Sequence, residues 1–151
     1  MRIDLPKDLR KRLRQAVRRA GKNEIGGVLM AEQLEPGHFR LVDFTVDGQT
    51  GSAAHFVRSV EDHQAALSDF FARTGSDFTR FNYLGEWHSH PNHVPLPSLE
   101  DMGSMQSLVH GERDIPFAIL MVVRARWSGM LLSATLFERG LQPTPIVVHA
   151  S

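Results

Sequence analysis

Residues 85–101 read Gly85-Glu86-Trp87-His88-Ser89-His90-Pro91-Asn92-His93-Val94-Pro95-Leu96-Pro97-Ser98-Leu99-Glu100-Asp101. Two histidines at alternate positions end an apolar stretch, a proline-rich bend follows, and a serine and an aspartate then stand three residues apart. In a strand, side chains of residues i and i+2 share a face, so His88 and His90 can reach one metal ion together. Asp101 can add a carboxylate oxygen from the next element. Two histidines and one carboxylate leave a fourth tetrahedral position for water, which is the ligand economy of a catalytic zinc rather than a closed structural one. Ser98-Leu99-Glu100-Asp101 also reads as a helix start, with Ser98 as N-cap and Asp101 at the third helical position. The two readings are compatible, because a carboxylate held in a first helical turn is held rigidly.

A hydrolytic site of this kind needs a base. Glu86 shares the strand face of the histidines but stands beside them, whereas Glu24, just ahead of a Gly26-Gly27 pair, can approach from a neighbouring strand. Trp87 alternates with the histidines and belongs on the opposite, core side. His93 lies in the bend, where it can contact substrate, and reads first as an exposed loop histidine.

Working outward, the 151 residues suffice for one domain with a substantial core, and 42% hydrophobic with 23% charged residues describes an ordinary globular chain. No apolar run reaches the ~18–20 residues that a membrane-spanning helix needs. The start, Met1-Arg2-Ile3-Asp4-Leu5-Pro6, has no secretory pattern, and a cytoplasmic location is the expectation. With no cysteine, disulfides, thiol nucleophiles and Cys-ligated zinc are excluded. The same absence excludes the zinc nucleobase deaminases, whose signature requires cysteines. Net charge is zero, yet residues 1–22 hold nine basic residues against Asp4 and Asp8. Without interleaved stacking aromatics, this basic helix reads as a solvated face rather than a nucleic-acid surface.

In chain order, Leu9, Leu13 and Val17, with Ala16 and Ala20, form one stripe of an opening helix that Gly21 ends. Strands are expected over residues 24–31 and 39–46, joined through Glu35-Pro36-Gly37 as a hairpin. A loop follows at residues 47–52, then a short strand over residues 55–58. A helix is expected from a Ser59/Asp62 capping box to Gly75, its apolar side carrying Ala66, Leu67, Phe70 and Phe71. Residues 82–89 form the histidine strand and residues 98–110 a helix. The unbroken apolar run 116–123 is a central strand buried on both faces. Residues 130–137 pair with it across a turn at Ser128-Gly129, and residues 145–149 make a final edge strand. The expected class is α/β of the α+β kind, a curved mixed sheet flanked by helices in the order α-β-β-β-α-β-α-β-β-β.

Glu24 followed by Ile25-Gly26-Gly27, then His88-Ser89-His90-Pro91, Ser98 and Asp101 at the same spacing, resembles the JAMM motif of the JAB/MPN metalloprotease family. The resemblance extends along nearly the whole chain and implies a single JAB/MPN domain over residues 1–151. It implies Zn2+ held by His88, His90 and Asp101, Glu24 as general base toward the attacking water, and Ser98 as hydrogen-bond donor to the tetrahedral intermediate. The Gly85-to-Pro91 form is similar to stand-alone prokaryotic members associated with ubiquitin-like conjugation, including antiviral CBASS-type operons. The implied activity is hydrolysis of the isopeptide or peptide bond at the tail of a ubiquitin-like or carrier protein. The implied partners are that tail and its conjugated target; the hydropathy gives no expectation of a membrane, and the basic helix alone keeps nucleic acid as a less favoured reading. Processing of a sulfur-carrier protein and a non-catalytic interaction module are the alternatives. The bend between His90 and Ser98 is short and no cysteine-containing insertion is present, so ubiquitin itself is not the expected substrate, and tail specificity is expected from strand addition at a sheet edge.

Overall fold

A computed structural model describes residues 1–47, 60–111 and 114–151, with the side chains of residues 60–62 left aside. Its strands are β1 (Arg2–Leu5), β2 (Gly26–Glu35), β3 (His38–Phe44), β4 (Phe81–Ser89), β5 (Phe117–Arg126), β6 (Gly129–Glu138), β7 (Thr144–Ile146) and β8 (Val148–Ala150). Its helices are α1 (Lys7–Ala20), α2 (Val60–Arg73) and α3 (Leu99–His110). All eight strands join one mixed sheet in the order β7-β6-β5-β4-β2-β3-β1-β8. Val147 alone separates β7 from β8 in the chain, yet these strands stand at opposite ends of that order. The sheet must therefore curl until its two edges almost meet.

The α+β class, the three helices and the flanked mixed sheet match the sequence expectation, and two elements correct it. First, β1 precedes α1. It is only four residues long and is held by parallel pairing to β3 and β8, contacts from distant parts of the chain that no local pattern encodes. Second, the tail is two strands rather than one: β7 lies antiparallel to β6, and β8 runs parallel to β1. The β5–β6 turn is Trp127-Ser128, one residue earlier than expected, because Gly129 already pairs with Arg126. The expected strand over residues 55–58, most of the loop over 47–52, and the Ser59/Asp62 capping box lie outside the described residues and side chains.

Strand β5 organises the packing on both faces. Ile119, Met121 and Val123 join Leu9, Leu13 and Val17 of α1 and Trp87 of β4 in the larger core. Alternate residues Ala118, Leu120 and Val122 pack with Met105 and Val109 of α3. Residues 118–123 are at most 1% exposed, as expected of a central strand covered on both sides. Trp87 sits on the α1 side, fully buried, and donates from Nε1 to the carbonyl of Thr45 at 2.9 Å. His88 is consequently turned to the α3 side.

Two glycines permit the sheet to close around this core. A Cβ on Gly27 would lie 2.1 Å from the Thr45 carbonyl oxygen, and one on Gly85 would lie 2.0 Å from that of Ile119. Gly85 also has φ +156°, outside the range that side-chain-bearing residues readily adopt. Of the Gly26-Gly27 pair, it is Gly27 that meets a close backbone neighbour.

The basic residues of α1 serve the fold. Arg14 donates to the carbonyls of Gly129 (3.0 Å), Arg126 (3.1 Å) and Trp127 (2.7 Å), Arg10 donates to Met130 (3.0 Å), and Arg12 pairs with Asp43 (3.0 Å). The helix is clamped onto the β5–β6 turn by its own arginines. Among the described residues, no helix is long and apolar enough to cross a membrane.

Candidate metal centre

Three side chains converge where β4 ends and α3 begins. His88 Nε2 is 3.1 Å from His90 Nε2, Asp101 Oδ2 is 3.3 Å from the former, and it is 3.8 Å from the latter. A tetrahedral ion with bonds of about 2.0–2.1 Å sets its ligand atoms about 3.3–3.4 Å apart, so these separations fit one small cation. Both histidines are buried and Asp101 is half-buried.

Two of the three candidate ligands, His90 and Asp101, are each aimed by a partner. His90 Nδ1 is 3.0 Å from the Val94 carbonyl oxygen, which can only accept. The proton must therefore reside on Nδ1, leaving the Nε2 lone pair of the neutral ring directed at His88 and Asp101. His88 Nδ1 is buried with no hydrogen-bond partner among the described residues, so the polar contacts of that ring are on its Nε2 edge. Facing acceptors at 3.1–3.8 Å repel unless positive charge lies between them. Either a proton on His88 or a metal cation fills that place.

Asp101 is set by the start of α3. Ser98 is the N-cap, its Oγ accepting from Asp101 N at 3.0 Å while its own N donates to Asp101 Oδ2 at 2.7 Å, a complete capping box. Burial raises the Asp101 pKa, but His88 and the two Ser98 contacts outweigh it and hold the carboxyl down to about 2. The group is a carboxylate, ready to ligate, throughout the neutral range. The helix-start and metal readings of Ser98-to-Asp101 are thus one structure.

Glu24 enters from the neighbouring strand. Gly26 pairs with His88 across the β2–β4 ladder, and Ile25 is tied to Ser89 by Ser89 N to Ile25 O (2.8 Å) and Ile25 N to Ser89 Oγ (3.1 Å). Extending that register by one residue sets Glu24 opposite His90. Glu24, His90, His93, Ser98 and Asp101 border one cleft of about 520 Å³. Glu86 borders a different cavity of about 450 Å³ under α2, with His63 and Phe71. The fold therefore separates the two candidate bases, and only Glu24 shares the cleft with His90 and Asp101.

A family model described as prokaryotic homologs of the JAB domain matches residues 6–135. The chain belongs to the prokaryotic JAB-domain family. Its fold is shared by a protein of Desulfitobacterium hafniense known from a solution structure, at TM-score 0.72 and 20% identity over 99% of this chain and 92% of that one. A Salinibacter ruber protein, also solved in solution, matches at TM-score 0.60 and 18% identity over 98% of this chain and 91% of that one. No functionally curated protein matches the sequence.

Within this JAB domain the motif residues come from three separate segments: Glu24 ahead of β2, the histidines at the end of β4, and Ser98 and Asp101 at the start of α3. Sequence reading missed two supports, the Val94 carbonyl on His90 and the Ser89 hydroxyl on Ile25. A backbone carbonyl leaves no side-chain signature. Ser89 had a faint one, as the lone hydroxyl between two histidines. His93, expected in an exposed loop, also borders the cleft, its ring 6.1 Å from that of His90 and at 88° to it.

Proposed function

We propose that this JAB domain is a zinc-dependent peptidase that hydrolyses the isopeptide or peptide bond at the carboxyl-terminal tail of a ubiquitin-like or carrier protein. The observation that carries the reading is the convergence of two imidazole nitrogens and one carboxylate oxygen within 4.8 Å of one another, at a cleft that Glu24 borders together with His90 and Asp101. A ligand set without thiolate, with one carboxylate and no fourth protein donor among the described residues, suits a catalytic zinc.

His88, His90 and Asp101 would hold the metal. When bound, zinc supplies Lewis acidity that polarises the scissile carbonyl and makes hydroxide available near neutral pH. Glu24 accepts the proton of the attacking water on a carboxylate oxygen and delivers it to the leaving nitrogen as the carbon–nitrogen bond breaks. The leaving group is a lysine amine in a conjugate and an α-amine in a linear precursor. Ser98 Oγ accepts from Asp101 N within the cap, which leaves its own proton to donate to the substrate oxygen as charge develops there. The setting we assign is the cytoplasm and a bacterial conjugation pathway, of the kind found in antiviral operons.

The test is cleavage of a lysine-linked conjugate beside a linear diglycine precursor, with metal content measured on the same samples. Wild-type protein should carry one zinc and lose activity to a chelator. Glu24→Gln should keep the zinc and lose at least about 100-fold in turnover. Undiminished cleavage by that variant, or by metal-free protein, sinks the reading. The preferred substrate of the pair separates deconjugation from precursor processing.

A further inference from the structure

We propose that the β5–β6 turn and the β4–α3 bend together form a docking surface for the folded body of the protein whose tail enters the cleft, and that this partner presents an apolar patch edged with carboxylates. The proposal rests on the peptidase reading above and names what lies outside the cleft.

The apolar component is exposed to an unusual degree. Trp127, at the tip of the turn, is 92% exposed, Leu131 on the strand leaving it is 41% exposed, and in the bend and first turn of α3 Val94, Leu96 and Leu99 are 63%, 58% and 92% exposed. Scattered single exposed leucines need no explanation, but five large apolar side chains on two neighbouring segments do. The segments are neighbours because His90 N donates to the Val123 carbonyl and Arg124 Nη1 reaches the His93 carbonyl at 3.5 Å. From Arg124 the strand runs about 10 Å further to Trp127. Anything seated in the cleft has this rim beside it.

The rim is also preorganised. Arg14 ties three carbonyls around the turn to α1, so the exposed indole stands on a fixed loop. An aromatic anchor held rigidly before binding is the usual source of interface energy.

Charge selects the partner. Residues 115–137 contain no aspartate or glutamate, and Arg124 and Arg126 stand on β5 just ahead of the tip, while the carboxylates Glu100 and Asp101 lie on the α3 side. The turn side thus joins the apolar side chains to a cationic edge, which is complementary to an apolar patch that brings carboxylates against the turn. Tryptophan and arginine also suit an anionic membrane surface, but the apolar residues continue around the cleft mouth. A membrane there would bar a folded substrate.

Trp127 provides the readout, since the other tryptophan, Trp87, is fully buried. The probes are the two substrates of the cleavage test, the lysine-linked conjugate and the linear diglycine precursor, added to Glu24→Gln protein so that binding is not followed by cleavage. Docking should shift the emission to the blue and protect it from acrylamide quenching for at least one probe. Arg126→Glu should weaken that binding roughly tenfold or more, as should Trp127→Ala measured by calorimetry. In the active protein both substitutions should raise KM for the whole-protein substrate by the same factor, with kcat and cleavage of a short free tail peptide within about twofold of wild type.

Cleavage of whole substrate with no Trp127 shift, or variants that slow peptide and protein alike, overturns the docking surface and leaves the peptidase standing. A shift without any cleavage by zinc-loaded protein does the reverse. Neither shift nor cleavage removes both. A shift with phosphatidylglycerol vesicles alone, or one that grows with protein concentration alone, assigns the surface to a membrane or to a second copy and overturns the proposal.

Discussion

Two carboxylates on β2 and α3 have opposite fates. Glu32, 3% exposed, is held by Arg40 and by Arg80, whose Nε and Nη2 stand 2.8 and 2.6 Å from Oε1. Asp101 faces His88 and His90 at 3.3 and 3.8 Å instead. In both, burial raises the pKa and cationic or hydrogen-bonding partners bring it below the ordinary value. The difference lies in the partners. Arginine keeps its proton at any relevant pH and closes the site as an ion pair, whereas histidine can shed a proton and turn a lone pair to the same centre. One arrangement is finished as folded, and the other has room for a cation.

Exchanging the partner type should break this contrast most strongly. His90→Arg should convert the centre into a closed pair with Asp101, lowering metal affinity by about 100-fold or more while the helical and strand content is retained. Metal content after dialysis against limiting zinc checks this. Retention of stoichiometric zinc would mean that His90 is not a ligand.

The structural carboxylate should respond to acid rather than to metal. Glu32→Gln should cost about 1–3 kcal/mol at pH 7, since the buried amide cannot satisfy both guanidinium groups. The Glu32 pKa is lowered from 4.5, so its contribution is fully present above that value and is lost as pH falls through the lower folded value. Denaturation midpoints of wild type and variant should therefore converge as pH drops below 4.5, with identical zinc binding at neutral pH. A gap that stays constant to pH 3 would assign the effect to packing.

The smallest effect sharpens the other half of the comparison. Ser98→Ala removes the hydroxyl that accepts from Asp101 N but keeps the backbone donor to Asp101 Oδ2. It should destabilise the protein by about 1 kcal/mol in thermal unfolding and change metal affinity by less than about tenfold. A complete loss of metal would show that the cap hydroxyl, rather than the backbone, holds the ligand.

Much of this was present in short-range patterns. The alternation of Trp87 with His88 and His90 assigned one to the core and two to the opposite face, and the Ser98/Asp101 spacing announced the capping box. Those readings depend on strand and helix periodicity, which operates over a few residues and is written directly into the chain. The family motif named Glu24 as base, but its residue pattern alone left Glu86 open. Only the antiparallel β2–β4 register, with Ile25 locked to Ser89, brings Glu24 to the histidine cleft and leaves Glu86 in another cavity.

Long-range pairing decided the rest. β1 is too short to declare itself and exists through β3 and β8, and the tail divides because each half finds a different edge of the curled sheet. The ligands, their spacing and the helix that carries Asp101 follow from the sequence by itself, because local geometry fixes them. Which carboxylate borders the histidine cleft, what aims the imidazole of His90, and what surrounds the cleft mouth were decided by tertiary structure, because each depends on residues that meet only when the sheet closes.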